Sequence, residues 1–467
     1  MDYNKTIRLP QTDFPMRAGL PRREPGMLEE FEKADLYHKL IKRNEGKPLF
    51  ILHDGPPYAN GNIHIGTALN KILKDIIVKE KNMTGFCSPY VPGWDTHGLP
   101  IESAILKNKK IKRDELSTSA FREKCRAYAE DFVEKQRNQF KRLGVLGEWE
   151  DPYLTFKPAF EAEQIRVFGK MAEKGYIYKG MKPVYWCPAD QTALAEAEIE
   201  YADDPCSSLY VKFPLRDDKG KLARYGDLSR MFFVIWTTTP WTLPGNMAVA
   251  LNAGLDYVLL QAPNGEIYIL AKERAESVCK AARIDRSACT VLGTLKGADF
   301  ELMTARHPLF DRDSVVLNGD HVTLEAGTGC VHTAPGFGAD DFTVCRQYDR
   351  EGLTHIGTPV PVNAKGVMTD ERYAGQFYAK ANDVIPGDLA AAGMLLASER
   401  ISHSYPHCWR CKNPIIYRAT EQWFCSVDAI KDAAVAACDA IQWKPEWGKE
   451  RMVSMIAERN DWCISRQ

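Results

Sequence analysis

Residues 53–67 have the amino-acid types and the spacing that binding of a phosphate requires. The segment is rich in turn-forming glycine, proline and asparagine, and it ends where a helix can begin. A helix N-terminus presents unpaired N–H groups and a partial positive charge, which together bind an anion. Gly66 would let a phosphate approach the backbone closely, and His64 would add a side-chain donor. The pattern therefore predicts a site for the phosphates of a nucleotide.

A strand, a helix and a second strand must position this segment. Residues 49–52 are a continuous apolar run that predicts a buried parallel strand. Over residues 65–77, apolar side chains recur at helical spacing, which predicts a helix that begins near His64 and has one apolar face. A second short run at 86–91 leads to Asp95. In a right-handed parallel unit, the phosphate segment and Asp95 would face one crevice beyond the strand ends.

Length and charge limit the classes of protein that this chain can be. A chain of 467 residues suggests roughly two to four domains. With 61 basic and 62 acidic residues, the formal net charge is -1, so any polynucleotide must bind a local basic patch. No apolar stretch is long enough to span a bilayer, and the 13 mostly scattered cysteines favour reduced thiols. We therefore expect a cytoplasmic protein that is not bound to a membrane.

Composition divides the chain into four segments. A proline-containing extension precedes an α/β region, in which helices are predicted over residues 118–143 and 161–174. A mostly β region follows, with short strands punctuated by glycine, proline and asparagine, and the last segment resumes the patterns of the α/β region. The predicted boundaries are 1–47, 48–195, 196–398 and 399–467.

Five long motifs, in one order, carry a family resemblance that covers essentially the whole chain. Together they resemble the class I aminoacyl-tRNA synthetases, and within that family the isoleucyl branch most closely. The resemblance implies an α/β fold in which a Rossmann-like parallel nucleotide-binding domain is interrupted by a mostly β editing domain. The motifs are HDGPPYANGNIHIGT at 53–67, GWDTHGLPIE at 93–102, WTTTPWTLPGN at 236–246, HTAPG with the following residues at 332–341, and DWCISRQ at 461–467.

The first motif of this family binds ATP and stabilises the charge that develops when the amino acid carboxylate attacks the α-phosphate. The resemblance assigns this catalytic role to His64, Gly66 and Thr67. Thr67 replaces the histidine that usually ends the motif, so one donor is shorter and cannot be cationic. The implied reaction is ATP-dependent activation of isoleucine, with Mg²⁺, followed by transfer to tRNA(Ile).

The same resemblance places the amino acid beside the phosphate segment. Asp95 would pair with the substrate ammonium, which a carboxylate attracts on Coulombic grounds alone. Pro56 and nearby groups, Pro57 and Tyr58 among them, would line the pocket for the side chain. The alternative for Asp95 is a turn residue without a ligand.

The mostly β region matches the family's hydrolytic editing insertion. Isoleucine and valine differ by one methylene, from which a hydrophobic pocket extracts only about 1–3 kcal/mol, a magnitude whose standard example is the isoleucyl enzyme itself. A second pocket that admits valine and rejects isoleucine would hydrolyse the wrong ester by water attack. Taken without the resemblance, the threonines are a threonine-rich strand end. The implied editing residues are Thr237, Thr238, Thr239, Asn246, His332 and Asp341.

Two cysteine-containing knuckles predict a possible metal site. Cys408 and Cys411 have the two-residue spacing of a zinc knuckle, and Cys187 with Asp190 resembles a partner knuckle whose second cysteine has become aspartate. Three thiolates and one carboxylate are an acceptable ligand set for Zn²⁺. The alternative is a metal-free ribbon.

The family's second ATP motif, Lys-Met-Ser-Lys-Ser, does not occur in this sequence. We therefore expect an N-terminal portion of the synthetase, without the helical anticodon-binding domain, that activates isoleucine poorly by itself. The expected partners are tRNA(Ile), isoleucine and ATP, bound by a monomer. Two alternatives stay open: a deacylase that only edits mischarged tRNA, and an inactive truncated fragment that binds tRNA.

Overall fold

A computed structural model describes residues 3–8, 13, 19–109, 111, 115–459 and 461–465. The chain forms two compact units, Met1–Glu173 and Lys174–Gln467, which we call the N-terminal and the C-terminal unit. Their composition confirms the predicted α/β class, because helices dominate the first unit and a large mixed sheet dominates the second. The four-segment division made from composition stays a prediction.

The N-terminal unit is built from helices around short parallel pairings. Its helices are α1 (Leu20–Lys33), α2 (Leu36–Arg43), α3 (Ile65–Met83), α4 (Leu99–Lys109), α5 (Thr118–Arg142) and α6 (Pro158–Glu173), and its strands are β1 (Gly93–Trp94) and β2 (Tyr153–Leu154). The two strands pair in parallel. Helices α5 and α6 confirm the helices predicted over 118–143 and 161–174. The core of this unit packs Trp94 against Phe140 and Trp149.

Of the predicted strand, helix and strand, only the helix forms in full, because the runs at 49–52 and 86–91 meet in a single parallel bridge and form no strand. Leu49 and Cys87, on either side of α3, form a parallel bridge in which the Phe50 N–H donates to the Cys87 carbonyl at 2.9 Å. The prediction that residues 49–52 are buried is wrong, because Leu49 is 69% and Ile51 is 63% exposed. The physical reason is that no other strand of the described residues pairs with this segment.

Helix α3 begins where the sequence predicts, but it buries its polar face and exposes its apolar face, the reverse of the usual arrangement. Its apolar face points to solvent, and Ile65 at its start is 88% exposed. The residues that α3 buries are Lys71, Asp75, Val78 and Asn82. Polar groups inside the unit form hydrogen bonds and ion pairs with the side chains on this buried polar face. The apolar periodicity therefore predicted the helix correctly and did not predict the face that it buries.

The C-terminal unit consists mainly of one large sheet and one small sheet. Its strands are β3 (Ile177–Cys187), β4 (Thr192–Leu194), β5 (Ile199–Asp217), β6 (Met231–Thr237), β7 (Ala248–Leu251), β8 (Asp256–Gln261), β9 (Ile267–Ala271), β10 (Thr290–Lys296), β11 (Thr304–Arg306), β12 (Asp313–Asn318), β13 (Val331–Thr333), β14 (Leu395–Cys408), β15 (Ile416–Cys425) and β16 (Trp462–Cys463). Its helices are α7 (Ala275–Ala281), α8 (Ala339–Arg350), α9 (Tyr378–Ala391), α10 (Asp428–Ala437) and α11 (Gly448–Ala457). The predicted mostly β region is confirmed.

The large sheet has ten strands in the order β10-β8-β9-β6-β13-β7-β12-β11-β5-β14. Strand β5 also pairs with β6, so the strands between them close into a ring. Strand β6 is apolar up to its last residue, Thr237, and six of its seven residues are buried, so its C-terminal end lies near the core. The small sheet has the order β16-β15-β3-β4. Within the described part of the chain, no helix is long and apolar enough to cross a membrane.

Candidate functional site

The His64 side chain caps the N-terminus of α3. Its Nδ1 accepts hydrogen bonds from the backbone N–H groups of Gly66 at 3.1 Å and Thr67 at 3.4 Å. An accepting Nδ1 leaves the proton of the neutral ring on Nε2, which is free to act as a donor. The structure thus brings the three residues together, with the ring of His64 on two N–H groups that the sequence predicted for a phosphate.

Backbone hydrogen bonds join the phosphate segment to Asp95. The Asp95 N–H donates to the Pro57 carbonyl at 3.0 Å, and the Ala59 N–H donates to the Asp95 carbonyl at 3.1 Å. Tyr58 and Asp95 consequently form a parallel bridge. The Asp95 carboxylate also accepts from the His97 N–H at 3.2 Å. These bonds hold Pro57 and Tyr58 beside Asp95, which agrees with the prediction that the two segments face one crevice.

A buried charge cluster that the sequence analysis missed holds this segment on α3. Asp54 is 4% exposed, and its carboxylate accepts hydrogen bonds from Lys71 and Lys74 of α3 and from the Tyr90 hydroxyl. The Tyr153 hydroxyl donates to the Asp54 carbonyl at 3.2 Å. Burial lowers the pKa of Lys71, and the Asp54 charge opposes that shift. The sequence signal was a lysine at position 71 within an apolar helical repeat.

Five of the six predicted editing residues line one cavity of about 380 Å³ in the C-terminal unit. Thr237 ends β6, and Thr238 and Thr239 begin the turn that follows; His332 lies on β13 and Asp341 in the first turn of α8. Sequence-distant elements therefore bring these side chains together. The sixth residue, Asn246, is fully buried behind the cavity wall and does not line it.

Asp341 provides the cavity with a carboxylate. Its Oδ2 accepts a hydrogen bond from the Ala334 N–H at 2.7 Å, which orients the group. Burial raises the pKa of Asp341 to about 7, and the nearby Asp340 charge acts in the same direction. A carboxylate in such surroundings gains from pairing with a cation, because an opposite charge favours its ionised form.

His332 is a neutral group in this wall. Burial lowers the pKa of His332 to about 3, and the Arg312 charge adds to the shift. Its Nε2 lies 2.9 Å from the Thr242 hydroxyl, and its Nδ1 lies 2.8 Å from the Asn246 amide nitrogen. Thr242 lines the cavity and was not among the predicted residues, although it lies in the same motif.

The loop from Gly327 to Gly329 forms another part of the cavity wall. Both glycines have positive φ angles, 73° and 79°, and a Cβ on Gly329 would lie 2.4 Å from the Ala271 Cβ. The Ala271 N–H donates to the Thr328 carbonyl at 2.8 Å, and the Tyr257 hydroxyl donates to the Gly329 carbonyl at 2.6 Å. Glycine is thus required where the loop packs against β9.

Comparison with known families decides the class of this protein. The family described as tRNA synthetases class I (I, L, M and V) matches residues 26–467. The chain belongs to this family. The resemblance inferred from the five motifs is thereby confirmed.

Curated relatives of this synthetase family narrow the likeness to one branch. The chain is 57% identical to the isoleucine–tRNA ligase of Thermoanaerobacter sp. (strain X514), over 100% of this chain and 50% of that protein. It is 56% identical, over the same shares, to the isoleucine–tRNA ligase of Caldanaerobacter subterraneus subsp. tengcongensis. The chain therefore spans about half the length of the curated relatives that it matches.

Among solved structures, the chain is similar to the ternary complex of Agrobacterium radiobacter K84 agnB2 LeuRS with tRNA and LeuAMS. The identity is 15%, the match covers 88% of this chain and 51% of that chain, and the TM-score is 0.35.

The predicted metal ligands of this synthetase chain form one cluster. The ligand atoms of Cys187, Asp190, Cys408 and Cys411 all lie within 4.8 Å of one another. Cys187 ends β3 and Cys408 ends β14, so two strand ends bring the knuckles together. The Sγ atoms of Cys187 and Cys411 are 3.5 Å apart. Three sulfur donors and one oxygen donor at this separation fit a tetrahedral Zn²⁺ ion.

Proposed function

We propose that the chain carries isoleucine–tRNA ligase chemistry, and that its C-terminal unit hydrolyses valyl-tRNA(Ile). The observation that carries this proposal is the convergence of Thr237, Thr238, Thr239, His332 and Asp341 on one cavity. These residues were assigned to editing from sequence motifs up to about a hundred positions apart, and they meet in space.

The cavity has the groups that hydrolysis of an aminoacyl ester needs. The Asp341 carboxylate pairs with the ammonium of the attached amino acid. Threonine hydroxyls at 237–239 hydrogen-bond the ester and the attacking water, so no protein nucleophile is required. Because His332 is neutral, it adds no positive charge beside that ammonium. Rejection of isoleucine would require that the bound ester leave no room in the cavity for one more methylene.

The N-terminal unit supplies an ATP and isoleucine half-site. The N-terminus of α3 binds phosphate once the His64 ring turns away from the N–H groups of Gly66 and Thr67. Asp95 binds the isoleucine ammonium, beside Pro56, Pro57 and Tyr58. ATP enters as its Mg²⁺ complex. Activation to isoleucyl-adenylate and transfer to tRNA(Ile) are reactions of the longer synthetases, to which this half-site contributes.

One experiment separates the two activities. The purified chain is mixed with valyl-tRNA(Ile), and deacylation is followed beside ATP–pyrophosphate exchange with isoleucine. We expect deacylation together with weak or absent exchange, since the Lys-Met-Ser-Lys-Ser motif is not in the sequence. Absence of deacylation under conditions in which the chain is folded would contradict the proposal.

A second candidate function, a deacylase that acts by itself on mischarged tRNA, is favoured by one observation. Every residue that lines the cavity belongs to the C-terminal unit. Deacylation by the isolated chain, with no binding of ATP or isoleucine to the N-terminal unit, would favour this candidate over the first. The monomeric state and the cytoplasmic location expected from the sequence stay predictions.

We also propose that the cluster of Cys187, Asp190, Cys408 and Cys411 holds a structural Zn²⁺ ion. Four protein ligands fill a tetrahedral site and leave no position for substrate. The ion would join the ends of β3 and β14.

A further inference from the structure

A chain of hydrogen bonds between buried side chains lies behind the hydrolytic cavity. The Ser314 hydroxyl donates to Asn246 Oδ1 at 2.8 Å, and Asn246 Nδ2 donates to His332 Nδ1 at 2.8 Å. On its other side, His332 Nε2 lies 2.9 Å from the Thr242 Oγ1. All four residues are buried, and Ser314 and Asn246 are completely so. Ser314 lies outside the five sequence motifs that carry the family resemblance.

The orientation of the Asn246 amide follows from its other contacts. Its Nδ2 also donates to the Ala248 carbonyl at 2.8 Å, and a carbonyl can only accept. Its Oδ1 therefore faces the Ser314 hydroxyl, which can donate. With one Nδ2 hydrogen on Ala248, the other points at His332 Nδ1 at 2.8 Å, since the third neighbour, the Thr333 carbonyl, is more distant at 3.5 Å. That ring nitrogen must accept, so it carries no proton.

The direction of the remaining protons follows from the same step. A neutral imidazole with a bare Nδ1 carries its proton on Nε2 and donates it to the Thr242 Oγ1. The Thr242 hydroxyl then donates its own proton to the Thr239 carbonyl at 2.8 Å. The same carbonyl accepts the Thr242 backbone N–H at 3.0 Å, so the hydroxyl adds a second bond to the turn that carries the cavity's threonines. In the opposite tautomer, Thr242 would donate its hydroxyl proton to His332 instead, and the Thr239 carbonyl would keep only the bond from the Thr242 backbone N–H.

We propose that Asn246 and Ser314 are positioning residues that hold His332 in its neutral Nε2–H tautomer, and thereby hold the 237–242 turn in the form that binds the aminoacyl ester. The proposal rests on the proposed hydrolytic function and deepens it. It gives Asn246 a role through His332, consistent with its place behind the cavity wall. The low pKa of His332 agrees with a ring that stays neutral.

The first test is spectroscopic and does not depend on activity. The full chain is labelled with ¹⁵N-histidine, and the His332 signals are identified by their loss in His332→Gln. At neutral pH we expect a protonated Nε2 and an unprotonated Nδ1. A protonated Nδ1 in the unaltered chain would overturn the proposal, and this result would not depend on any variant of Asn246 or Ser314.

The second test changes the hydrogen-bonded residues Asn246 and Ser314. In Asn246→Asp, a carboxylate can only accept, so it draws the His332 proton onto Nδ1. We expect the tautomer to reverse and hydrolysis of valyl-tRNA(Ile) to fall roughly ten- to hundred-fold, by analogy with the loss when a group that orients a metal-binding histidine is changed. Ser314→Ala leaves the hydrogen bond from Asn246 to the Ala248 carbonyl in place, so we expect a smaller fall in the hydrolysis rate than in Asn246→Asp.

Matched variants control for burial alone. Asn44, which is 1% exposed in the N-terminal unit, is changed to aspartate, and Ser88, which is fully buried, is changed to alanine. Neither change should alter the His332 signals or the hydrolysis rate. Slower hydrolysis in Asn246→Asp with an unchanged tautomer would overturn the proposal and leave the hydrolytic function standing. Absence of hydrolysis by the unaltered chain would contradict the proposed function itself.

Discussion

Asp341 and His332 meet in one cavity with pKa values displaced in opposite directions. Burial disfavours the charged form of each group, so it raises the pKa of the carboxyl to about 7 and lowers that of the imidazole to about 3. Near neutral pH, Asp341 is therefore only partly ionised and His332 is neutral. A substrate ammonium would draw the Asp341 proton off and pair with the carboxylate.

The raised pKa of Asp341 predicts how stability depends on pH. Because the folded pKa, about 7, exceeds the ordinary value of 3.8, the folded state holds this proton more tightly than the unfolded state. Its contribution to stability is complete below pH 3.8 and is lost as the pH rises through about 7. We expect Asp341→Asn to remove this loss, measured as urea midpoints at about pH 5 and about pH 8. The exposed Asp383→Asn serves as control, and an equal pH dependence in Asp341→Asn and the unaltered chain would contradict the argument.

The Asp54 cluster predicts a large cost for removing one charge. Asp54→Asn leaves Lys71, which is 1% exposed, without its counter-charge. Removing one partner of a buried pair costs about 3–5 kcal/mol of the free energy of unfolding. The matched change, Glu29→Gln, breaks the exposed pair with Lys33 and should cost less than about 1 kcal/mol. Equal losses in the two variants, measured by urea unfolding of the N-terminal unit, would show that the cluster is not buried.

Among the elements, helix α3 shows what periodicity can and cannot predict. The spacing of its apolar residues gave the helix and its start at His64 correctly. The buried side is nevertheless polar, because Asp54, Tyr90 and backbone groups around Asn82 supply partners that no local pattern reveals. The short β runs of the C-terminal unit were predictable, since each strand is apolar over several residues. Their order in the sheet was not, because pairings such as β5 with β14 join residues nearly two hundred positions apart.

The orientation of α3 predicts opposite sensitivities on its two sides. Val78→Ala, at a position 2% exposed, should cost about 2 kcal/mol because it leaves a cavity in the core. Leu69→Lys, at a position 56% exposed, should change the free energy of unfolding by less than about 0.5 kcal/mol. Chemical unfolding of both variants measures the difference. A larger loss for Leu69→Lys than for Val78→Ala would place the apolar face of α3 in the core after all.

The ends of β3 and β14 predict the effect of metal removal. If Cys187, Asp190, Cys408 and Cys411 hold Zn²⁺, the purified chain contains about one zinc per molecule, and a chelator lowers its thermal midpoint. Cys408→Ser should abolish zinc binding, whereas Cys206→Ser, outside the cluster, should not. Elemental analysis and thermal unfolding provide the two measurements. A zinc-free chain whose midpoint is unaffected by the chelator would instead support the metal-free ribbon.

For the whole molecule, the family and the residues that line the cavity were accessible from sequence because long motifs kept their order. The residues that orient those motifs could not be predicted from the sequence. Ser314 and Gln136 lie outside the motifs, and Asp54 lies inside one, where nothing in the sequence marked it as a buried charge. Gln136, for example, is 3% exposed, and its amide donates to the Tyr58 carbonyl at 3.0 Å and the Gly61 carbonyl at 2.7 Å. Such contacts depend on the tertiary structure, and only the structure reveals them.

The central claim is that the cavity in the C-terminal unit removes valine from tRNA(Ile), and the ratio of two hydrolysis rates tests it most directly. The purified chain is given valyl-tRNA(Ile) and isoleucyl-tRNA(Ile) in parallel reactions. We predict that the valyl ester is hydrolysed roughly tenfold faster or more, which is the discrimination that steric exclusion of one methylene can supply. Asp341→Asn should abolish most of that activity, and Asp383→Asn should not. Equal rates for the two esters, or a valyl rate that survives Asp341→Asn unchanged, would contradict the account.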